Sequence, residues 1–183
     1  MIIEEKFNAL CLLHSTIGEH GPTLRRYASK CDHVTEFGVE RIGSTWALLA
    51  ALPKKLVCVD MVHPSSLGAS IDEIANAAKE AGVEFQFIHA NDLEIFIDPT
   101  DMLFIDTLHT YPQLRQELSL HAANVRKYIL MHDTETYGVV GSALGQRGLL
   151  PALEEFLASK EGSNWKIIEV FRNMHGLTVM QRI

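Results

Sequence analysis

Acidic residues close a succession of apolar segments in this chain, and histidines accompany the last two. Glu36 precedes Gly38 in HVTEFGV, Asp60 closes KKLVCVD, and Asn91-Asp92 follows VEFQFIHA. Asp106 closes MLFID with His109 just beyond it, and His132-Asp133 closes KYILMHD. A carboxylate at a strand end accepts both hydroxyls of a ribose. An acid or amide there also meets an exocyclic amine, and an acid near a turn contacts an ammonium group. Strand-end His and Asp residues bind metals well. A histidine titrates near neutrality and so serves as a general acid or base.

The first turn carries GVERIG between Gly38 and Gly43. Glycines there let a nucleoside-bearing cofactor approach the backbone where a Cβ would collide, or they make a tight turn and nothing more. The spacing is not the GxGxxG with which dinucleotide folds receive a pyrophosphate. Ser44 and Thr45 follow at the start of a helix, where they cap it or meet a carboxylate. Asp60 is a ribose acceptor or, in the plainer reading, a helix cap or turn residue. Asn91 and Asp92 are candidates for an adenine amine, although such residues favour loops in any case.

Strands alternate with helices along the chain. Expected strands cover 33–39, 54–61, 83–90, 102–106 and 127–133, and expected helices cover 21–31, 44–52, 70–82, 111–125 and 148–160. Helix 21–31 has Pro22 in its first turn. Helix 70–82 shows apolar residues at helical spacing and ends at Gly82. Two closing strands, 165–172 and 175–183, are joined by Asn173-Met174, which predicts an antiparallel hairpin. Strands alternating with helices imply a parallel sheet with right-handed crossovers, its ligands at the carboxyl ends of the strands. The strand-end acids all converge there.

A chain of 183 residues suits one domain with a full core. The net charge of −7, without a run of one sign, argues against nucleic acid as a partner. The apolar runs are strand-sized, so no membrane span is expected. MIIEEKFNALCLLH carries glutamates before its apolar part, unlike a secretory signal. Cys11, Cys31 and Cys58 have neither metal-ligand spacing nor an even count, which places the chain in a reducing cytoplasm.

Together these segments resemble the class I S-adenosylmethionine-dependent methyltransferases, in the branch of small-molecule and sugar O-methyltransferases and the methyltransferase-like proteins of cephalosporin biosynthesis. The likeness is carried by Glu36-Phe37-Gly38-Val39 with Gly43-Ser44-Thr45, by FIDTLHTY (104–111), by ILMHDTETYG (129–138) and by Gly176-Leu177-Thr178-Val179. It implies a Rossmann-like α/β fold, a seven-stranded, mostly parallel sheet ordered 3-2-1-4-5-7-6 and helices on both faces. Residues 21–183 form the single domain and 1–20 an extension, apolar enough to pack on a second copy. Two departures stand out. Asn124-Val125-Arg126-Lys127 replaces a Gly-Gly turn before the fifth strand, and Thr107 follows Asp106 where glycine is common.

The resemblance implies S-adenosylmethionine as cofactor, which has a zwitterionic amino acid head and a sulfonium in place of phosphate. Glu36 and Asp106 are then candidates for the head, with Gly38, Gly43, Ser44 and Thr45 at the turn. Asp60 meets the ribose, Asn91 and Asp92 the adenine, and Met61 is a further cofactor-binding candidate. By position, Asp106 and Asp133 become ligands of a divalent ion, with His132 or Thr134 beside them. Mg²⁺ is the candidate because it takes oxygen ligands and keeps waters. Such an ion lowers the pKa of an acceptor hydroxyl. Asp106, His109 and His132 are the catalytic candidates, His109 as general base or His132 in its place. The expected reaction moves a methyl group to a hydroxyl of a small molecule or sugar. Its acceptor pocket would be built by the N-terminal segment and the 134–147 loop.

Other readings stay open. A metal-dependent hydrolase or lyase would use Asp106, His109, His132 and Asp133 with water as nucleophile. A catalytically idle S-adenosylmethionine-binding protein is also compatible. The plainer alternatives have His109 stacking beneath Tyr111 and His132 bonding a backbone carbonyl. Trp46 and Trp165 read as core anchors.

Overall fold

The computed structural model describes residues 2–13 and 16–183. The chain divides into two compact units, Met1–Asp92 and Leu93–Ile183.

The first unit runs α1 (Ile2–Leu12), α2 (Thr16–Ala28), β1 (His33–Phe37), α3 (Gly43–Leu49), β2 (Lys55–Asp60), α4 (Ile71–Ala81) and β3 (Glu84–His89). β1 and β2 are buried apart from their ends, as a parallel strand covered on both faces requires. They pair in parallel with each other, and β2 pairs with β3. α4 shows its caps in the sequence: the Ser70 hydroxyl accepts from the Glu73 amide at 3.2 Å, and Gly82 takes φ +74°.

α2 begins at Thr16, well before the expected helix, and Pro22 lies inside it. An interior proline costs about 3 kcal/mol. Packing of α2 on α1 and α3 outweighs that local cost. Ile3, Phe7 and Leu10 of α1 are buried, so the apolar face of this segment is covered by its own chain. Residues 1, 14 and 15 of the expected extension lie outside the described residues.

The second unit runs β4 (Thr100–Ile105), α5 (Tyr111–His121), β5 (Val125–His132), α6 (Leu149–Ala158), β6 (Trp165–Phe171) and β7 (Leu177–Arg182). β4 is buried along its whole length and pairs in parallel with β5, which pairs antiparallel with β7. β4 starts earlier than its apolar run because Thr100 pairs with Val125, and buried Asp101 is held by Arg126 at 2.9 Å. A short 3-10 turn at Ala122–Asn124 joins α5 to β5.

The closing hairpin is antiparallel, as expected, but its connection is longer than Asn173-Met174. The strands pair from Phe171 and Leu177, and Met174, His175 and Gly176 all take positive φ. The wider loop docks on the segment after β5: the Glu135 and Thr136 amides both donate to the His175 carbonyl, at 2.8 and 3.0 Å. At Gly176 a Cβ would lie 2.5 Å from the Glu135 nitrogen.

The seven strands stand in the order β3-β2-β1-β4-β5-β7-β6, all parallel pairings except those of β7 among the pairs described. Trp46 and Trp165 are buried as core residues. Among the described residues no helix is long and apolar enough to cross a membrane.

Candidate active site

In the first unit the expected cofactor residues cluster around the turn after β1. Gly38 takes φ +81°, and its amide donates to the Val59 carbonyl at 3.0 Å. Glu40 and Ile42 also sit in the left-handed region, at φ 46° and 58°. Such conformations cost non-glycine residues free energy and gather at functional sites. The Asp60 carboxylate organises this turn. Its Oδ2 accepts from the Val39 and Glu40 amides at 2.7 and 3.0 Å, and its Oδ1 from Val62 at 2.7 Å.

Glu36, the candidate for the cofactor's ammonium group, lies at the end of β1. It is 0% exposed, and the Thr45 hydroxyl donates to its Oε2 at 2.7 Å. Thr45 therefore holds Glu36, while the position before α3 is Ile42, with no side-chain cap. Ser44 is buried as well. Burial, followed by the charge and hydrogen bonding of Glu36, pushes the Cys58 thiol well up. Gly43 answers to packing: a Cβ there would come within 3.0 Å of Ile17 Cγ2 in α2. Met61 exposes its side chain while its carbonyl lies 2.8 Å from His89 Nε2. Asn91 is half-buried, and Asp92 is buried in a short helical turn after β3.

In the second unit the ends of β4 and β5 bring four expected residues together. His109 Nε2 lies 3.1 Å from Asp106 Oδ1 and 3.0 Å from Asp133 Oδ2. His132 Nδ1 lies 3.4 Å from Asp106 Oδ2 and 3.3 Å from Asp133 Oδ1. Among the described residues, donor atoms of Asp106, His109 and Asp133 all fall within 4.8 Å of one another, a spacing that suits a metal ion. His109 stands in this group with the two acids, and His132, the expected ligand, is not part of it.

The electrostatics follow from this geometry. Burial would lower the His109 pKa, but hydrogen bonds and charge from Asp106 and Asp133 prevail and raise it from 6.5 to about 9. Burial would raise the Asp106 pKa, yet bonds and charge from His109 and His132 bring it down to about 2. His109 between these carboxylates is protonated at neutral pH, which removes it as a free general base in this arrangement.

Tyr137 escaped the sequence reading. Its ring stacks on His109 with centroids 5.0 Å apart and planes at 8°, where the plainer alternative had Tyr111. Tyr111 instead bonds Glu155, beneath the Arg147 guanidinium. The one sequence signal for Tyr137 was an aromatic residue in the loop soon after Asp133. Asp133 takes φ 61°, and its carbonyl accepts the Tyr137 amide at 3.0 Å. The loop also grips His109 from its far side, through the Ser142 amide on the His109 carbonyl at 2.9 Å.

No protein-family model matches this sequence, and no curated protein matches it. Solved structures do. The O-methyltransferase TomG from Streptomyces achromogenes, involved in tomaymycin synthesis and in complex with SAM, is 20% identical with a TM-score of 0.63, over 90% of this chain and 80% of that one. A Klebsiella pneumoniae protein assigned to the O-methyltransferases is 16% identical with a TM-score of 0.66, over 98% and 87%. A Staphylococcus aureus protein assigned as a caffeoyl-CoA O-methyltransferase is 14% identical with a TM-score of 0.62, over 92% and 83%. At these identities the likeness is one of fold.

Proposed function

From a chain with the fold of the class I S-adenosylmethionine-dependent methyltransferases, we infer an enzyme that methylates a hydroxyl oxygen of a small molecule or sugar. The observation that carries this reading is the convergence of Asp106, His109, His132 and Asp133 at the ends of β4 and β5, in a fold whose ligands sit at strand ends. S-adenosylmethionine supplies an electrophilic methyl group on a sulfonium.

Asp60 is the residue we assign to the ribose. A carboxylate has about four acceptor positions, and three backbone amides already use this one. Accepting both ribose hydroxyls therefore exchanges a turn amide for a cofactor hydroxyl, which couples binding to the 38–40 turn. Glu36 acts through Thr45 by holding that turn's foundation, since its carboxylate has no open face. Asn91 and Asp92 remain our adenine candidates, with Met61 beside the ribose.

At the second cluster the donor set of carboxylates and imidazoles fits a divalent ion. When bound, such an ion lowers the pKa of an acceptor hydroxyl. Asp106, His109 and Asp133 would hold it, and His132 stands against both carboxylates. Catalysis otherwise rests on aligning acceptor oxygen, methyl and sulfur. Three free cysteines, two of them buried, accord with our placement in a reducing cytoplasm.

Calorimetric titration with S-adenosylhomocysteine tests the reading. Micromolar-range binding that Asp60→Ala weakens is expected. Absence of binding, with or without divalent ions, would overturn it in favour of a metal-dependent hydrolase or lyase. Binding without transfer to any hydroxyl acceptor would leave a cofactor-binding protein.

A further inference from the structure

We propose that the Asp106–His109–His132–Asp133 cluster is built for a nitrogen-binding first-row transition ion, of which Zn²⁺ is the simplest case, and not for Mg²⁺. The proposal rests on reading this cluster as a metal centre, and it changes the chemistry of the ion.

The donor set is the first argument. Each histidine turns one ring nitrogen toward both carboxylates, and each carboxylate gives one oxygen to each ring. An ion held by Asp106, His109 and Asp133 meets one nitrogen and two oxygens, and His132 supports it by standing against the other oxygen of each acid. Mg²⁺ is a hard cation that takes oxygen and keeps several waters, whereas imidazole suits Zn²⁺, Fe²⁺, Co²⁺ and Ni²⁺.

The spacing is the second. Tetrahedral bonds of about 2.0–2.2 Å place neighbouring donors roughly 3.3–3.6 Å apart. His109 Nε2 stands 3.1 and 3.0 Å from Asp106 Oδ1 and Asp133 Oδ2, so a small outward adjustment of His109 admits the ion.

The neighbouring oxygens are the third. An all-oxygen site would draw on the hydroxyls beside the acids, and both are engaged elsewhere. Thr107 bonds Glu117 at 2.5 Å, and Thr134 accepts from Thr178 at 2.9 Å.

The surroundings also hold the imidazoles as ligands must be held. His109 is stacked on Tyr137 and fixed through its carbonyl by Ser142. His132 is buried with the Phe104 ring edge-on at 6.5 Å. Asp133 keeps a left-handed backbone that an aspartate adopts only when its surroundings impose it.

The test uses the full chain, stripped with chelator and dialysed, and titrated calorimetrically with ZnCl₂, CoCl₂ or MgCl₂ alone. Zn²⁺ and Co²⁺ are expected to bind on the order of 100-fold more tightly than Mg²⁺, and Co²⁺ to give visible absorption bands of a four-coordinate nitrogen–oxygen site. His109→Gln and His132→Gln should each weaken Zn²⁺ binding about 10-fold or more while sparing Mg²⁺, and Asp106→Asn should weaken both. Mg²⁺ binding as tightly as Zn²⁺, no ion binding at all, or Zn²⁺ affinity unmoved in both histidine variants would each overturn the proposal. The wild-type comparison and cobalt spectrum decide the matter even where a variant fails to fold. S-adenosylhomocysteine titrated into the same preparation separates the two readings. Its binding without an ion preference sinks only this proposal, and an ion preference without its binding sinks only the methyltransferase.

Discussion

Asp106 and Asp133 share the same two histidines, each carboxylate giving one oxygen to His109 and the other to His132 at 3.0–3.4 Å. The arrangement stores protons as well as donor atoms, and it makes the stability of the protein depend on pH at both ends.

In chelator, His109 has its folded pKa raised from 6.5 to about 9, so folding favours its protonated form. That contribution is complete below about pH 6.5 and disappears as pH rises through about 9. Asp106 has the opposite sign: lowered from 3.8 to about 2, it contributes above its ordinary pKa and loses the contribution as pH falls through about 2. Urea unfolding at about pH 6 and pH 9.5 should show an alkaline loss on the order of 2 kcal/mol. His109→Gln should flatten that limb, and an unchanged limb would refute the assignment.

Asp60 combines structural and binding roles, and substitution should separate them. Asp60→Ala removes three hydrogen bonds from the turns it organises, two of them open to water, at a cost of about 1 kcal/mol. It should also weaken S-adenosylhomocysteine about tenfold or more. Amide exchange at Val39 and Glu40 should change when the cofactor product binds to the wild type, because the turn and the ribose compete for one carboxylate.

Thr45 and Glu36 form a buried charge-assisted bond, so Thr45→Val should destabilise by about 2 kcal/mol. A double-mutant cycle with Glu36→Gln should show coupling between the two. Cofactor binding abolished by Glu36→Gln at unchanged stability would instead assign Glu36 a direct contact.

Tyr137 should matter through its ring. Tyr137→Phe keeps the stack on His109 and should leave metal affinity unchanged. Tyr137→Ala frees the imidazole and should weaken the ion about tenfold, the usual scale for a supporting residue.

Local signals in the sequence were reliable wherever a few neighbouring residues decide the outcome. The Ser70 and Gly82 caps bound α4 as the periodicity predicts, and the apolar runs in β2 and β4 mark strands buried on both faces. The alternation of these elements, with their resemblance to a known fold, specified the strand order. The acids at strand ends were visible for the same reason, since the end of an apolar run is a local event.

Tertiary structure decided what depends on partners distant in sequence. α2 runs through Pro22 because α1 and α3 cover it, and Gly43 leaves room for the Ile17 methyl, which a Cβ would meet at 3.0 Å. The hairpin loop widens because His175 receives the Glu135 and Thr136 amides. Glu36 is buried and bonded by Thr45, and His109 became a proton-bearing bridge between two carboxylates. Sequence determines which groups are present and near which turn. Only packing determines which way a side chain faces, and with it whether an acid meets solvent, a hydroxyl or a metal ion.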